Sequence, residues 1–272
     1  MNSPVPSYAV DLLYEELPLL SRDEVLAKLR DRCGAASAMD NAKDGGLNFF
    51  FPDLRAPFKD STVPVQVVLK VTPGQLPVDQ VMSFMKQTWD WGEAKDIVAR
   101  HQVIVALSDL LASPLPYKSR LGFFQNVLCG ILELQKPLAI RWRASGKFVN
   151  PAALMAALEP GPKRDMIRGA VNVRRTLVKS TGGVVLDTLG LGALGLPDFE
   201  VALGDRMPAP FELALRSLAR YQFDLGDVIA EGRTVKAGAE SFQLAIATSS
   251  VEPRRDVFLL KAGHGGGSAV VR

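Results

Sequence analysis

The period of the hydrophobic pattern changes repeatedly along this chain. Short apolar runs bounded by turn residues read as strands, and apolar positions three and four apart read as helices. Residues 8–15, YAVDLLYE, predict a first strand. The SRDE that follows places Ser21 as an N-cap with Glu24 three residues on, a capping box that satisfies two backbone donors. Val25, Leu26 and Leu29 then share one helical face, and Gly34 supplies the stop. Residues 45–54, GGLNFFFPDL, predict a strand ended by Pro52, because proline cannot donate to a ladder. Residues 63–71, VPVQVVLKV, predict another. Pro73, Gly74 and Pro77 mark a turn, Val78, Val81, Met82 and Met85 recur at helical spacing, and the helical pattern resumes after Gly92. Residues 101–109 close this set as a strand.

The resulting order, strand-helix-strand-strand-helix-strand, is that of a ferredoxin-like βαββαβ unit, an antiparallel sheet with both helices on one face. It is assigned to residues 1–111. A hinge, ASPLPYKS at 112–119, opens a second unit over 112–272. There Leu121, Phe124, Val127, Leu128, Ile131 and Leu132 mark a long helix, 137–149 a strand with a turn at Ser145-Gly146, and Asn150-Pro151 the start of a further helix. Residues 165–178 and 182–190 predict an antiparallel pair, 198–203 a short strand, and 208–222 an amphipathic helix with Phe211, Leu215 and Leu218 inside. Strands are expected over 227–235, 242–250 and 256–263, followed by a flexible Gly-rich tail, GHGGGSAVVR. The fold class is α+β with mainly antiparallel sheet.

Composition narrows the function. Hydrophobic residues are 47% and charged residues 22% of the 272, the balance of a globular protein. A net charge of +3 does not by itself point to nucleic acid. The basic residues Arg168, Arg174 and Arg175 are the segment a weak nucleic-acid binder would use. The N-terminus lacks the features of a signal peptide, and no apolar run suits a membrane span, so a cytoplasmic location is expected. Two separated cysteines, Cys33 and Cys129, are expected as reduced thiols.

Catalytic chemistry has few carriers. The two histidines are His101, at the start of a strand, and His264, in the tail. There is no nucleophile elbow, no His or Cys pair at zinc-ligand spacing and no phosphate-binding loop, so no catalytic residue, cofactor or metal is assigned. Trp89 and Trp91 are read as one core residue and one at its rim. The stretch Gly190-Leu191-Gly192-Ala193-Leu194-Gly195 does match the glycine spacing of a dinucleotide fingerprint. That fingerprint requires a helix next, but Pro197 and the strand-like DFEVAL follow, so the glycines are read as a tight turn. The candidate functional loop is Asp187, Thr188, Gly190, Gly192, Gly195, Asp198 and Glu200. Its three carboxylates are the acids that could act as acid, base or cation ligands, provided that they meet in one pocket.

The segments WDWGEAKDIVARHQVIVAL, LAIRWRASGKFVNPAAL, LDTLGLGALGLPDFEV and PFELALRSLARYQFDLGDVIAEGRTV, in this order, resemble a bacterial family of uncharacterised proteins, domain of unknown function 4261, over residues 8–261. Its most specific block is TLGLGALGLPDFEV with the later turn Glu231-Gly232-Arg233-Thr234. The resemblance implies no activity, cofactor or catalytic residue. Proteins of this style suggest by analogy a non-enzymatic module that binds another protein, immunity-like or associated with a secretion system, its partner a toxin or secretion component. The alternative is an enzyme or small-ligand binder with its site near Asp187, Asp198 and Glu200.

Overall fold

The computed structural model describes residues 3–39, 46–178, 182–226 and 229–262. The chain divides into two compact units, Val5–Gly169 and Ala170–Arg272, the latter including Met1–Pro4. The tail expected to be flexible and His264 within it lie outside the described residues.

The first unit contains β1 (Ala9–Tyr14), α1 (Arg22–Cys33), β2 (Ser37–Ala38), β3 (Leu47–Phe58), β4 (Ser61–Pro73), α2 (Val78–Met85), α3 (Ala94–Val98), β5 (Val103–Leu110), α4 (Tyr117–Leu134), β6 (Ala139–Trp142), β7 (Lys147–Val149) and α5 (Pro151–Leu158). Its strands form one antiparallel sheet in the order β2-β3-β4-β5-β1-β6-β7. As far as β5 the order is β1-α1-β2-β3-β4-α2-α3-β5, the βαββαβ pattern with a short strand and a short helix added, and two expectations are corrected. The first concerns the helices, which flank both faces of the sheet. On one face, Phe124 of α4 meets Tyr8 and Trp142 edge-on, and α1 packs on α4. On the other, Val81, Phe84 and Met85 of α2 and Val98 of α3 cover Leu13, Ala139 and Phe148. Leu12 and Leu13, neighbours on β1, are therefore both fully buried, as a central strand covered twice requires. The second correction is the boundary at 111/112. β6 pairs with β1 from Val10↔Trp142 to Leu13↔Ala139, so everything from the expected hinge to Gly169 belongs to the first unit.

Pro52 does not end its strand. β3 continues to Phe58 with a register shift between Phe51 and Arg55, and a bulge is where a residue without an N–H is tolerated. The caps follow the sequence more closely. Ser21 Oγ accepts from the Glu24 N–H at 3.3 Å, and Asn150 Oδ1 accepts from Ala152 and Ala153 at the start of α5.

The second unit contains β8 (Asn172–Leu177), β9 (Val184–Leu189), β10 (Asp198–Ala202), α6 (Pro208–Leu225), β11 (Thr234–Ala237), β12 (Glu240–Thr248) and β13 (Asp256–Ala262). The sheet order is β11-β12-β13-β10-β9-β8, antiparallel except for β10 beside β13. Two strands are shorter than their apolar patterns suggest: residues 166–170 form turns before β8, and β11 begins only at Thr234. One core face carries Phe199 stacked on Phe258, and Phe211 of α6 edge-on to Phe242.

Candidate functional site

The candidate loop lies where β9 turns into β10. Cross-strand register sets its charges side by side: Arg174 on β8 opposes Asp187 on β9, and Asp187 opposes Glu200 on β10. Opposed residues share a sheet face, so these three form one row. Asp198, two residues before Glu200, joins them on that face of the strand. Asp187, Thr188 and Asp198 are fully buried and Glu200 nearly so.

Arg255, which immediately precedes β13, bridges the two aspartates. Its Nη2 lies 2.5 Å from Asp187 Oδ2 and its Nε 2.9 Å from Asp198 Oδ2. Arg174 grips the other side of Asp187, with Nε 3.1 Å from Oδ1 and Nη2 2.5 Å from Oδ2. Glu200 is held separately, accepting from the Ser250 N–H at 3.1 Å and from its hydroxyl at 2.6 Å. Burial opposes the charge on Arg255, but the Asp198 and Asp187 carboxylates more than offset it and raise its pKa. Burial pushes the Asp198 carboxyl up, with Arg255, Thr188 and the Gly192 N–H pulling the other way.

The glycine stretch wraps around Asp198. After β9, Gly190 takes φ 133°, residues Gly192–Leu194 form a single 3-10 turn, and Gly195 takes φ 85°. The Leu191 and Gly192 N–H groups donate to Asp198 Oδ1 and Oδ2 at 3.2 and 3.1 Å, and the Thr188 hydroxyl donates to Oδ1 at 2.8 Å. In a dinucleotide site, backbone N–H groups of a glycine loop face a phosphate. Here the protein's own carboxylate takes that place, and a 3-10 turn replaces the helix. Thr188 is bifunctional, since its hydroxyl also accepts from the Phe199 N–H at 2.9 Å and locks the start of β10.

Asp187 and Asp198 thus share one buried network through Arg255, with Glu200 on the same face held apart by Ser250, and each of the three is bound to arginine, hydroxyl or backbone donors. A general base needs an oxygen available to a substrate proton. This arrangement instead ties β8, β9, β10 and the segment before β13 together, and removing one partner of such a buried pair costs about 3–5 kcal/mol. Among the described residues, no group of three or more His, Cys, Asp or Glu is placed to hold a metal ion.

The other sequence candidates are also accounted for. His101 is buried; its Nε2 accepts from the Leu76 N–H at 2.8 Å and its Nδ1 faces the Val98 carbonyl at 2.5 Å, so its ring pins the turns around β5. Cys33 and Cys129 are free, and burial pushes the Cys33 thiol up to about 11. Arg174 is spent on Asp187, Arg175 faces Glu212 at 2.5 Å, and Arg168 faces Asp90 at 3.9 Å. Trp91 packs against the Leu13 cluster while Trp89 is half exposed, the division expected from their spacing.

Sequence reasoning did not reach two further features. One is two buried aspartates in the first unit, each held by arginine. Asp109 binds Arg120 through both oxygens at 2.7 and 2.8 Å, and Asp11 binds Arg141 and Arg143. An aspartate inside an apolar strand, as in AVDLLY, is the signal that could have found them. The other is a groove of about 980 Å³ between the outer face of α6 and β11, lined among others by Leu213, Ser217, Tyr221, Leu225, Val235 and Lys236.

Residues 187–261 match the family described as Domain of unknown function (DUF4261). The match begins at Asp187 itself and ends at Lys261 within β13, so it contains the three carboxylates, Arg255 and the groove, while Arg174 on β8 lies outside it. The wider resemblance over 8–261 is met over this stretch. Curated proteins and solved structures give no match to the chain.

Proposed function

Taking a chain whose residues 187–261 carry a DUF4261 domain as the premise, we propose that it is a non-enzymatic protein-binding module whose partner docks an extended segment in the α6–β11 groove. The observation that carries this reading is the groove beside an unpaired sheet edge. β11 is the last strand of its sheet among the described residues. Leu244 pairs with Arg233 through its N–H, which sets the alternation so that Val235 bonds inward to β12. The N–H and C=O groups of Thr234 and Lys236 then point outward, available to an added strand. The facing wall of α6 exposes Leu213 at 68% and Leu225 at 54%, apolar surface for alternate side chains of that strand. Arg220 and Lys236 against Asp224 give the lining a positive excess, which suits an acidic segment.

Affinity capture from native lysate tests this when run in parallel with two variants. Leu213→Glu puts a charge on the helix wall, and Lys236→Pro removes the outward N–H. The expected result is one stoichiometric partner with the parent chain, lost with each variant while thermal unfolding is unchanged. A toxin or secretion component among the captured proteins supports the immunity-like or secretion-associated form of the proposal. A partner retained equally by both variants removes the groove from the reading, and no partner at all removes the binding module.

A further inference from the structure

A second cavity, in the first unit, has the chemistry of a ligand site. About 190 Å³ in volume, it is lined by Asp90, Trp91, Lys147, Phe148, Val149, Asn150, Ala153 and Arg168. Hydrogen-bond donors dominate this lining. The Lys147 ammonium, with its side chain only 8% exposed, binds both oxygens of Asp90 at 3.0 and 2.8 Å. Asp90 is the one carboxylate of the lining, and the Arg168 guanidinium approaches it at 3.9 Å, so two cations face a single acid. Asn150 spends its Oδ1 on capping α5, so the amide N–H₂ is the remaining polar group of that side chain. Among the described residues, the buried Trp91 indole N–H finds no hydrogen-bond partner. An unpaired buried donor is rare in folded proteins, because its desolvation is uncompensated. Excess positive charge, surplus donors and a short apolar wall from Phe148, Val149 and Ala153 define one complement: an anion with several acceptor oxygens on a compact body.

We infer that this pocket binds a small oxyanion, a carboxylate or phosphate group, with the Trp91 indole, the Asn150 amide and Arg168 as its donors and Lys147–Asp90 as the fixed base of the site. The pairing of Lys147 with Asp90 keeps a buried ammonium in place before the ligand arrives, so binding needs little reorganisation. The site is independent of the α6–β11 groove and stands or falls without it.

The test uses the full chain labelled with ¹⁵N. Three tryptophans give three indole N–H signals, and Trp91→Phe identifies the one from Trp91. Inorganic phosphate and acetate are titrated separately, with chloride at matched ionic strength as the control. The expected result is a saturable shift of the Trp91 indole signal with phosphate, acetate or both, the stronger response naming the oxyanion class. Arg168→Gln weakens this at least tenfold. Asn150→Asp retains the oxygen that caps α5 but sets a negative charge against the ligand, and it abolishes the shift with the remaining spectrum preserved. A Trp91 signal that responds to neither anion beyond chloride, or that titrates identically in both variants, overturns the proposal.

Discussion

Single residues decide the geometry of the β9–β10 turn. A Cβ at Gly190 would lie 2.0 Å from the Ala170 carbonyl oxygen, and this is backbone, which a rotamer change cannot move aside. Its φ of 133° is also outside what other residues adopt readily. Gly190→Ala is therefore expected to cost about 3 kcal/mol or more, and Gly195→Ala, at φ 85°, about 1 kcal/mol. Urea unfolding of both variants checks this, and equal midpoints for the two would refute the steric account. The need for special backbone at both glycines was legible from a strand followed at once by GLGALG and proline. That Asp198 would fill the loop was not, since its approach depends on β10 folding back beside β9.

At the scale of elements, α1 and α4 are joined by Glu133, which accepts from Arg32 Nε at 3.1 Å and lies 3.4 Å from Lys28. Gly130 on α4 makes the approach close, since a side chain there would press on Lys28 and Arg32. The hydrogen bond from Arg32 holds the Glu133 carboxyl below its ordinary value. A carboxyl lowered by folding stabilises the protein above its unfolded pKa, and that contribution fades as pH falls through the folded value. Glu133→Gln is thus expected to lower stability near neutrality by about 0.5–1 kcal/mol, as for a partly exposed pair. In thermal melts across pH, the gap to the parent chain should close on acidification below the ordinary glutamate range. A gap that stays constant would place the effect in packing rather than in charge. The helices themselves were readable from caps and periodicity. Which faces they cover was not, because β1 is apolar on both sides and accepts helices on either.

For the whole molecule, each sheet is completed within one unit: the seven-stranded sheet within Val5–Gly169 and the six-stranded sheet within Ala170–Arg272. Neither lends a strand to the other among the described residues, and each has its own aromatic core. Residues 5–169 and 170–272, expressed separately, are expected to unfold in cooperative thermal transitions, as domains with their own cores do. In a fragment 112–272, only the 170–272 part is expected to fold, because residues 112–169 carry β6 and β7 without β1. A second cooperative transition, from residues 112–169 of that fragment, would restore the boundary at 111/112.

The sequence by itself determined the α+β class, the positions of the helices, the capping residues and the turn character of the glycine stretch. These rest on local physics: periodicity, backbone donors that need caps, and conformations open to glycine. Only the tertiary structure decided which strands are neighbours, where the units divide, and how the acids are used. Pairing between β1 and β6 joins residues more than a hundred positions apart, and no local pattern specifies that choice. The same holds for Asp187, Asp198 and Glu200. As sequence they are three acids near a loop, and the arginines and hydroxyls that bind them arrive from neighbouring strands and from the segment between β12 and β13 through the fold.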